Sequence, residues 1–297
     1  MSNLDDRMWA TMPSRRSFLQ RMGLGVGALG AGLFGGLVLP ESVLAVCEPP
    51  GNPGTPKPWR KDCRMILPRR PASTLSASEI TQLKDAYKAM RALDTSAPND
   101  PRGFLRQANV HCWYCGAGTQ VHFTWQFFAW HRAYLYFHER ILGKLIGDMN
   151  FRLPYWDWDT PSHRKLPGAY SDPNDNSNPL WNGTRSMDPT EEIPEEDVGE
   201  DVMEAALTAD TFTEFGGTAS GSGIPEGTPH GAVHVDVGGD MGFFDSAGKD
   251  PVFYAHHANV DKMWSDWNKA SSIHTNPTAT AFLNLTWNFY DENKVWR

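Results

Sequence analysis

The sequence lacks an excess of positive charge and contains few cysteines. Its 297 residues carry a formal net charge of -8 at pH 7, so nothing favours a nucleic acid or an anionic membrane surface as a partner. Only four cysteines are present. No strand–helix–strand pattern surrounds Cys112 and Cys115, which argues against a thioredoxin-like dithiol. The hydrophobic share is 40% and the aromatic share 12%, which is enough for a large buried core.

The first 45 residues have the layout of an export signal. Arg15 and Arg16 precede Phe18 and Leu19, and an apolar, glycine-rich run covers residues 22–39. This layout predicts a twin-arginine signal that is cleaved near Ala45. A retained membrane anchor is the alternative, but the frequent glycines disfavour it. We therefore expect one domain over residues 46–297, without a stable membrane anchor, in the periplasm or outside the cell.

Helical patterns dominate the rest of the chain. Ser76 and Glu79 have the spacing of a capping box, and a helical apolar period follows them. Residues 104–115 read as the end of a helix, and residues 124–147 as a long aromatic helix. Asp250 and Pro251 predict the start of another helix that runs to about residue 268. Residues 160–228 are rich in loop-forming residues. The sequence predicts a mainly α-helical domain with long irregular loops and few short strands.

Two clusters contain most of the histidines. The first cluster holds His111, His122 and His131; the second holds His230, His234 and the adjacent pair His256 and His257. The i, i+4 spacing of His230 and His234 places both rings on one face of a helix and is a chelating pattern. Gly231 follows His230, so the glutamate base of the HExxH zinc enzymes is absent.

Helix geometry separates the remaining candidates. His257 and Asp261 share one helix face, while His256 points about 100° away. We therefore predict His257 as the ligand of the pair and Asp261 as the residue that orients its ring. His122 and His131 are nine residues apart, so His122 must precede the helix if both bind one ion. His138 is interpreted as a polar residue at the helix rim.

Three histidines in each of two clusters indicate two metal ions. All-imidazole sites suit copper, zinc, iron or nickel. A pair of copper ions is the best candidate, because neutral nitrogen ligands stabilise Cu(I) and still allow Cu(II). A zinc hydrolase would need a carboxylate base and half as many histidines.

Six stretches of the sequence carry a resemblance to a known family. They are QANVHCWYC, VHFTWQFFAWHRAYLYFHERIL, LPYWDWDTP, PEGTPHGAVH, GDMGFFDSAGKDPVFYAHHANVDKMW and NFYDEN. They occur in order from about Gln107 to Asn293. In these stretches the chain resembles the tyrosinase and polyphenol oxidase family, the type-3 copper proteins, and is most similar in pattern to plant-type polyphenol oxidases.

The resemblance implies a fold and a reaction. The fold is a four-helix bundle around two copper ions. The implied ligands are His111, His122 and His131 for the first ion and His230, His234 and His257 for the second. The implied reaction is oxidation of o-diphenols to o-quinones by O₂, which is reduced to water; some members also hydroxylate monophenols. A haemocyanin-like protein that binds O₂ without phenol turnover is the alternative.

The resemblance also implies roles for four residues near the metals. Cys115 would form a thioether to His122, as in plant-type members. Phe244 matches the aromatic gate over the second copper. Glu226 matches an acid that holds a water near the site and helps to deprotonate a phenol.

The pocket and the chain ends carry further expectations. By the resemblance, Gly231 and Val235 would flank the pocket, and Cys112 would pair with Cys47 or Cys63. A tie between Cys47 and Cys63 is the alternative for the proline-rich arm, residues 47–71. Many relatives continue into a C-terminal shielding domain, and this chain departs from them because no such domain is expected after residue 297; an oligomer is compatible with this interpretation.

Overall fold

A computed structural model describes residues 47–48, 50–51, 54–60, 66–117, 120–172, 175 and 177–297. The predicted signal segment and Cys63 lie outside the described residues. The mainly α-helical fold class is confirmed. Within the described ranges, extended pairing is limited to isolated bridges, at Pro71 with Tyr155, Thr218 with Gly221 and Tyr290 with Trp296.

The described helices vary greatly in length. They are α1 (Ala77–Ser96), α2 (Phe104–Cys112), α3 (Gln126–Leu145), α4 (Glu195–Val198), α5 (Glu200–Leu207), α6 (Phe212–Gly216), α7 (Ala232–Val237), α8 (Val252–Ala270) and α9 (Thr280–Leu283). Two π-helical turns, Trp113–Ala117 and Glu226–Gly231, follow α2 and precede α7. Helix α3 packs against α1 and α8, and α1 packs against α2. These four helices form the bundle that supports the site.

Helix α1 begins where the capping box predicted. The Ser76 side chain accepts a hydrogen bond from the Glu79 backbone N–H, and the Glu79 carboxylate accepts one from the Ser76 backbone N–H. Two N–H groups that lack intrahelical partners are thereby satisfied. Leu83, Tyr87 and Met90, at helical spacing, are buried on the inner face. The capping signal and the apolar spacing in the sequence therefore predict both the start of α1 and the face that it buries.

Helix α8 begins at a buried ion pair. Asp250 accepts a hydrogen bond from the Val252 backbone N–H, 2.9 Å away, and thus satisfies the helix start. The Arg185 guanidinium donates to both oxygens of Asp250 at 2.7 Å, and it also donates to the carbonyl of Leu180. Both charged side chains are almost fully buried, at 1% and 0% exposure. Arg185 thereby links the loop that precedes α4 to the start of α8.

The structure decides one alternative that the sequence left open and corrects one prediction. Cys47 forms a disulfide with Cys112, one of the two pairings considered for Cys112, so the proline-rich arm is joined to α2. His138 is fully buried, and its ring stacks on Tyr254 with a centroid distance of 3.7 Å. The prediction of a rim position for His138 is wrong because α1 and α8 enclose α3 from two sides.

In the part of the chain that the structure describes, no helix is both long and apolar enough to cross a bilayer.

The ion pair at the start of α8 generates a stability prediction. Replacing Arg185 with Met should lower the free energy of unfolding by about 3–5 kcal/mol, because it leaves the Asp250 carboxylate buried without its main counter-charge. Urea unfolding monitored by circular dichroism measures this change.

A half-exposed ion pair serves as the control. Lys262 and Asp266 form an i, i+4 pair on α8, with 37% exposure of each side chain. Lys262→Met should change the free energy of unfolding by less than about 0.5 kcal/mol. Equal losses in Arg185→Met and Lys262→Met would contradict the role of the buried pair.

Candidate metal centre

The structure brings the first histidine cluster together from three elements. His111 lies in the last turn of α2, His122 in the turn before α3, and His131 within α3. Their ligand atoms and the sulfur of Cys115 all lie within 4.8 Å of one another, and all four side chains are buried. Helix α3 begins at Gln126, after His122, so the turn can direct His122 towards His131.

The second cluster comes from the π-helical turn, α7 and α8. It contains His230, His234, His256 and His257, again with one ligand atom of each within 4.8 Å of the others. His131 and His257 stack with a centroid distance of 4.2 Å. The two clusters therefore adjoin, as the packing of α3 on α8 requires.

Backbone carbonyls orient four of these imidazoles. The Nδ1 contacts are His111 to Phe244 (3.0 Å), His131 to Phe127 (2.8 Å), His230 to Glu226 (2.8 Å) and His234 to Met241 (2.7 Å). A carbonyl only accepts, so each Nδ1 must carry the ring proton. The lone pair of each neutral ring is then on Nε2, the atom available to a metal.

The donor atoms fit metal ions. The Nε2 atoms of His111, His131 and His230 are buried and have no hydrogen-bond partner among the described residues. The Nε2 atoms of His234 and His257 are 3.3 Å apart. Two nitrogens bound tetrahedrally to one ion at about 2.0–2.1 Å would be separated by about 3.3 Å. Buried acceptors of this kind need a partner, and an ion in each cluster would supply it.

Burial keeps the site imidazoles neutral. It lowers the pKa of His131 to about 3 and that of His234 to about 4. Burial also lowers the pKa of the other predicted ligands, and neighbouring histidines add to the effect; these are His111, His122, His230 and His257. Burial raises the pKa of the Cys115 thiol, with a further contribution from Glu226. Neutral imidazole is the form that binds a metal.

Two glycines shape the end of α7. Gly238 and Gly239 have φ angles of 64° and 56°, in the left-handed region. A Cβ on Gly239 would lie 2.1 Å from the Thr184 carbonyl oxygen. This turn lets the Met241 carbonyl return to Nδ1 of His234. The glycines therefore contribute to the orientation of a predicted ligand.

A small pocket adjoins both clusters. It is lined by His111, His122, His230, His234, Phe243, Phe244 and Ala247. The Phe244 ring lies 4.8 Å from the His122 ring, so the predicted gate residue is at the site. Val235 packs with Phe244 against Phe123, and Gly231 is buried between His230 and α7. Phe243 and Ala247 were not identified from the sequence, because no pattern distinguishes them from core residues.

Glu226 links the two halves of the site. Its side chain is 2% exposed, and one carboxylate oxygen accepts a hydrogen bond from the Phe123 backbone N–H. Phe123 has a φ of 59°, which is uncommon for a residue with a side chain. Glu226 thus holds the turn that carries His122, and its own carbonyl accepts from His230.

Two predictions about α8 need correction. The carboxylate of Asp261 accepts hydrogen bonds from Arg69 and Arg132, so it does not orient the ring of His257. The arginines reach it from the arm and from α3, which sequence spacing cannot reveal. His256 was expected to point away from the site, yet it lies among the second cluster because α7 and the π-helical turn wrap around α8.

Comparison with known proteins identifies the class of this chain. The family model described as the common central domain of tyrosinase matches residues 101–194 and 169–270. A latent polyphenol oxidase of Prunus armeniaca is 38% identical over 284 residues, which cover 80% of this chain and 46% of the relative. Polyphenol oxidase E of Solanum lycopersicum is 38% identical over 265 residues, covering 76% of this chain and 45% of the relative.

A solved structure supports the same class. The polyphenol oxidase of Grenache, Vitis vinifera, superposes with a TM-score of 0.75 at 32% identity, covering 88% of this chain and 89% of that chain. The chain belongs to the tyrosinase family, and the predicted similarity to plant polyphenol oxidases is confirmed. Proteins of this family hold two copper ions, and the two buried histidine clusters can bind one each. The chain spans about half the length of the two curated relatives.

The predicted location is wrong. The relatives from Prunus armeniaca and Solanum lycopersicum are both named chloroplastic, which points to plastid targeting and not to bacterial export into the periplasm or medium. The prediction depended on arginines followed by an apolar run. Arginine-rich segments also occur in plastid transit peptides, so this composition does not determine the compartment.

The neutral buried histidines predict acid-labile folding of the metal-free protein. An unfolded histidine binds a proton near pH 6.5, whereas His131 and His234 in the folded state do so only near pH 3 and 4. Between these values the unfolded state binds more protons, so stability falls as the pH is lowered. The loss approaches about 1.4 kcal/mol per pH unit for each such histidine.

Urea unfolding at pH 7 and pH 5.5, with a chelator present, measures this dependence. His131→Gln should show a smaller loss between the two pH values than the unchanged chain, because one titrating group is missing. The same free energy of unfolding at both pH values would contradict the prediction.

Proposed function

We propose that this chain is a dicopper polyphenol oxidase that oxidises o-diphenols to o-quinones with O₂ as the electron acceptor. One observation carries the proposal: two adjoining clusters of neutral, buried imidazoles line an aromatic pocket. Each o-diphenol gives up two electrons and two protons, so two of them reduce one O₂ to two waters. When bound, the copper ions supply the electron transfer between phenol and O₂.

The proposed ligands follow the two clusters. His111, His122 and His131 would hold the first ion, and His230, His234 and His257 the second. Four of these histidines donate from Nδ1 to a backbone carbonyl, which leaves Nε2 available to a metal and supports the assignment; they are His111, His131, His230 and His234. Because these rings are held before the metal binds, little reorganisation is needed on binding.

The pocket residues suit a flat, neutral phenol. The Phe244 ring borders His122 and can stack on an aromatic substrate. Gly231 and Val235, next to two predicted ligands, are small or apolar and leave the pocket without a charged side chain at these positions. Phe243 is 48% exposed at the pocket and extends the aromatic surface outwards.

Glu226 is proposed as the proton acceptor of the site. Its buried carboxylate is fixed by the Phe123 N–H, close to the turn that carries His122. A phenol hydroxyl must lose its proton to become a good electron donor, and a positioned carboxylate contributes about 10²–10⁴-fold to such a step. Glu226 therefore would both position the His122 turn and take the proton.

A thioether between Cys115 and His122 is proposed as a second constraint. The Cys115 sulfur lies within 4.8 Å of a ring nitrogen of His122 and of the other donors in its cluster, in a fully buried environment. Bond formation joins the sulfur to a ring carbon and removes two hydrogens, with O₂ as the two-electron oxidant. The bond would hold the His122 ring, whose Nδ1 lacks a hydrogen-bond partner among the described residues.

Peptide mass analysis tests the thioether. Trypsin leaves Cys115 and His122 in one peptide, since no basic residue lies between Arg106 and Arg132. After copper loading in air and full reduction of disulfides, this peptide should be two hydrogens lighter than its sequence mass, and Cys115 should resist alkylation. Cys115→Ser should restore the sequence mass of the peptide. A peptide of full mass with an alkylated Cys115 from the air-loaded protein would exclude the bond.

A quinone assay tests the proposed function. The copper-loaded protein receives a catechol and a monophenol in separate reactions, and quinone absorbance and O₂ consumption are recorded. The catechol should give quinone with one O₂ consumed for two diphenols. Glu226→Gln should lower turnover by about 100-fold with two copper ions still bound, because the amide oxygen still accepts from Phe123 but the base is lost.

Controls separate the alternatives. Glu204 is an exposed acid on α5, and Glu204→Gln should leave turnover unchanged within about twofold. Quinone from the monophenol, without added diphenol, would extend the activity to hydroxylation. Reversible O₂ binding with no product from either phenol would overturn the enzyme assignment in favour of an O₂-binding protein.

A further inference from the structure

Distance alone does not choose the ligands of the second cluster. His230, His234, His256 and His257 each offer a nitrogen within 4.8 Å of the others. A copper ion in an all-histidine site of this kind would have four candidates. The contacts of each ring decide which nitrogens carry a lone pair.

A tryptophan gives His256 a contact that differs from those of the other rings. The Trp158 indole Nε1–H donates to Nδ1 of His256 at 3.1 Å, and both side chains are fully buried. An indole N–H can only donate, so Nδ1 of His256 must be an unprotonated acceptor. The single ring proton is then on Nε2, which has no lone pair to offer a metal.

The neighbouring rings have the opposite arrangement. His230 and His234 donate from Nδ1 to the carbonyls of Glu226 and Met241, which leaves the Nε2 lone pair available. A carbonyl partner thus prepares an imidazole for metal binding, and an indole partner prevents binding through Nε2. The same cluster contains both kinds of ring.

The position of Trp158 is fixed from both sides. The Trp156 backbone N–H donates to the Ala255 carbonyl at 2.9 Å, and the Asn259 side chain donates to Asp159 at 3.0 Å. These two hydrogen bonds hold residues 156–159 against α8, next to His256 and His257. Trp158 therefore cannot shift without disturbing the helix.

His256 also supports the rings that bind. Its ring stacks on His230 with a centroid distance of 5.3 Å and an interplanar angle of 17°. It meets the His234 ring edge-on, at 4.9 Å and 87°. The His256 ring thus packs against two predicted ligands, His230 and His234, and restricts the orientations that their rings can take.

We propose that Trp158 is a positioning residue for the second copper: it fixes His256 as the Nε2–H tautomer, which keeps His256 off the metal and packs it against His230 and His234. The inference rests on the proposed dicopper function, since it concerns which three histidines hold the second ion. It explains how adjacent histidines on one helix differ in role, with His257 as the ligand.

The first test uses the metal-free protein. Long-range ¹⁵N–¹H spectra of the imidazole rings distinguish the two tautomers. His256 should be the Nε2–H tautomer, and His230 and His234 the Nδ1–H tautomer. An Nδ1–H tautomer of His256 would overturn the proposal, whatever the activity of the loaded enzyme.

The second test is a copper(I) titration against a chromophoric chelator. Trp158→Phe keeps a ring but removes the donor, and it should weaken the second copper by about tenfold to a hundredfold while the first is unchanged. Trp156→Phe is the matched control, because Trp156 is equally buried and donates its indole N–H to the His163 carbonyl, away from both clusters. It should stay within about threefold of the unchanged chain.

Substitutions at the histidine pair complete the design. His256→Gln should still bind two copper ions, whereas His257→Gln should bind one. Loss of an ion in His256→Gln, or equal affinities in Trp158→Phe and Trp156→Phe, would overturn the proposal. Fewer than two ions in the unchanged chain would instead refute the dicopper function, and the tautomer test would still be decided separately.

Discussion

Hydrogen bonds from ring Nδ1 atoms to backbone carbonyls are the constraint on which the site depends. His111, His131, His230 and His234 each make one. The carbonyls belong to helix turns and to the loops around them, so the backbone conformation itself determines which nitrogen faces the centre. A buried imidazole without this contact could turn its ring or exchange its proton position. The donor set is therefore a property of the folded backbone as much as of the side chains.

Helix packing brings the two histidine clusters together. The packing of α3 on α8 places His131 against His257, which joins the two clusters. The buried pair of Arg185 and Asp250 holds the start of α8, and Asp250 lies six residues before His256. Glu226 connects the second cluster to the turn of the first. Because these ties are buried, they hold the predicted ligands in place before any metal enters, which lessens the reorganisation that metal binding requires.

Local patterns allowed much of the fold and site to be predicted. The capping box at Ser76, the aromatic period of α3 and the Asp250 start of α8 are short-range signals, and the structure has all three. Long-range contacts were not predictable. The arginine partners of Asp261, at Arg69 and Arg132, are 192 and 129 residues away along the chain. Spacing on a single helix therefore assigned Asp261 to the wrong neighbour and described His138 as a rim residue.

The sequence by itself determined the kinds of donor, their spacing and the family, because residue identity and short-range periodicity suffice for these. Only the tertiary structure decided which atoms of those residues are available. His256 and His257 are adjacent and chemically identical, yet an indole N–H contacts one ring and the other faces His234. The partner that a buried ring nitrogen finds depends on segments about a hundred residues distant, such as Trp158 from His256, and only folding brings them together.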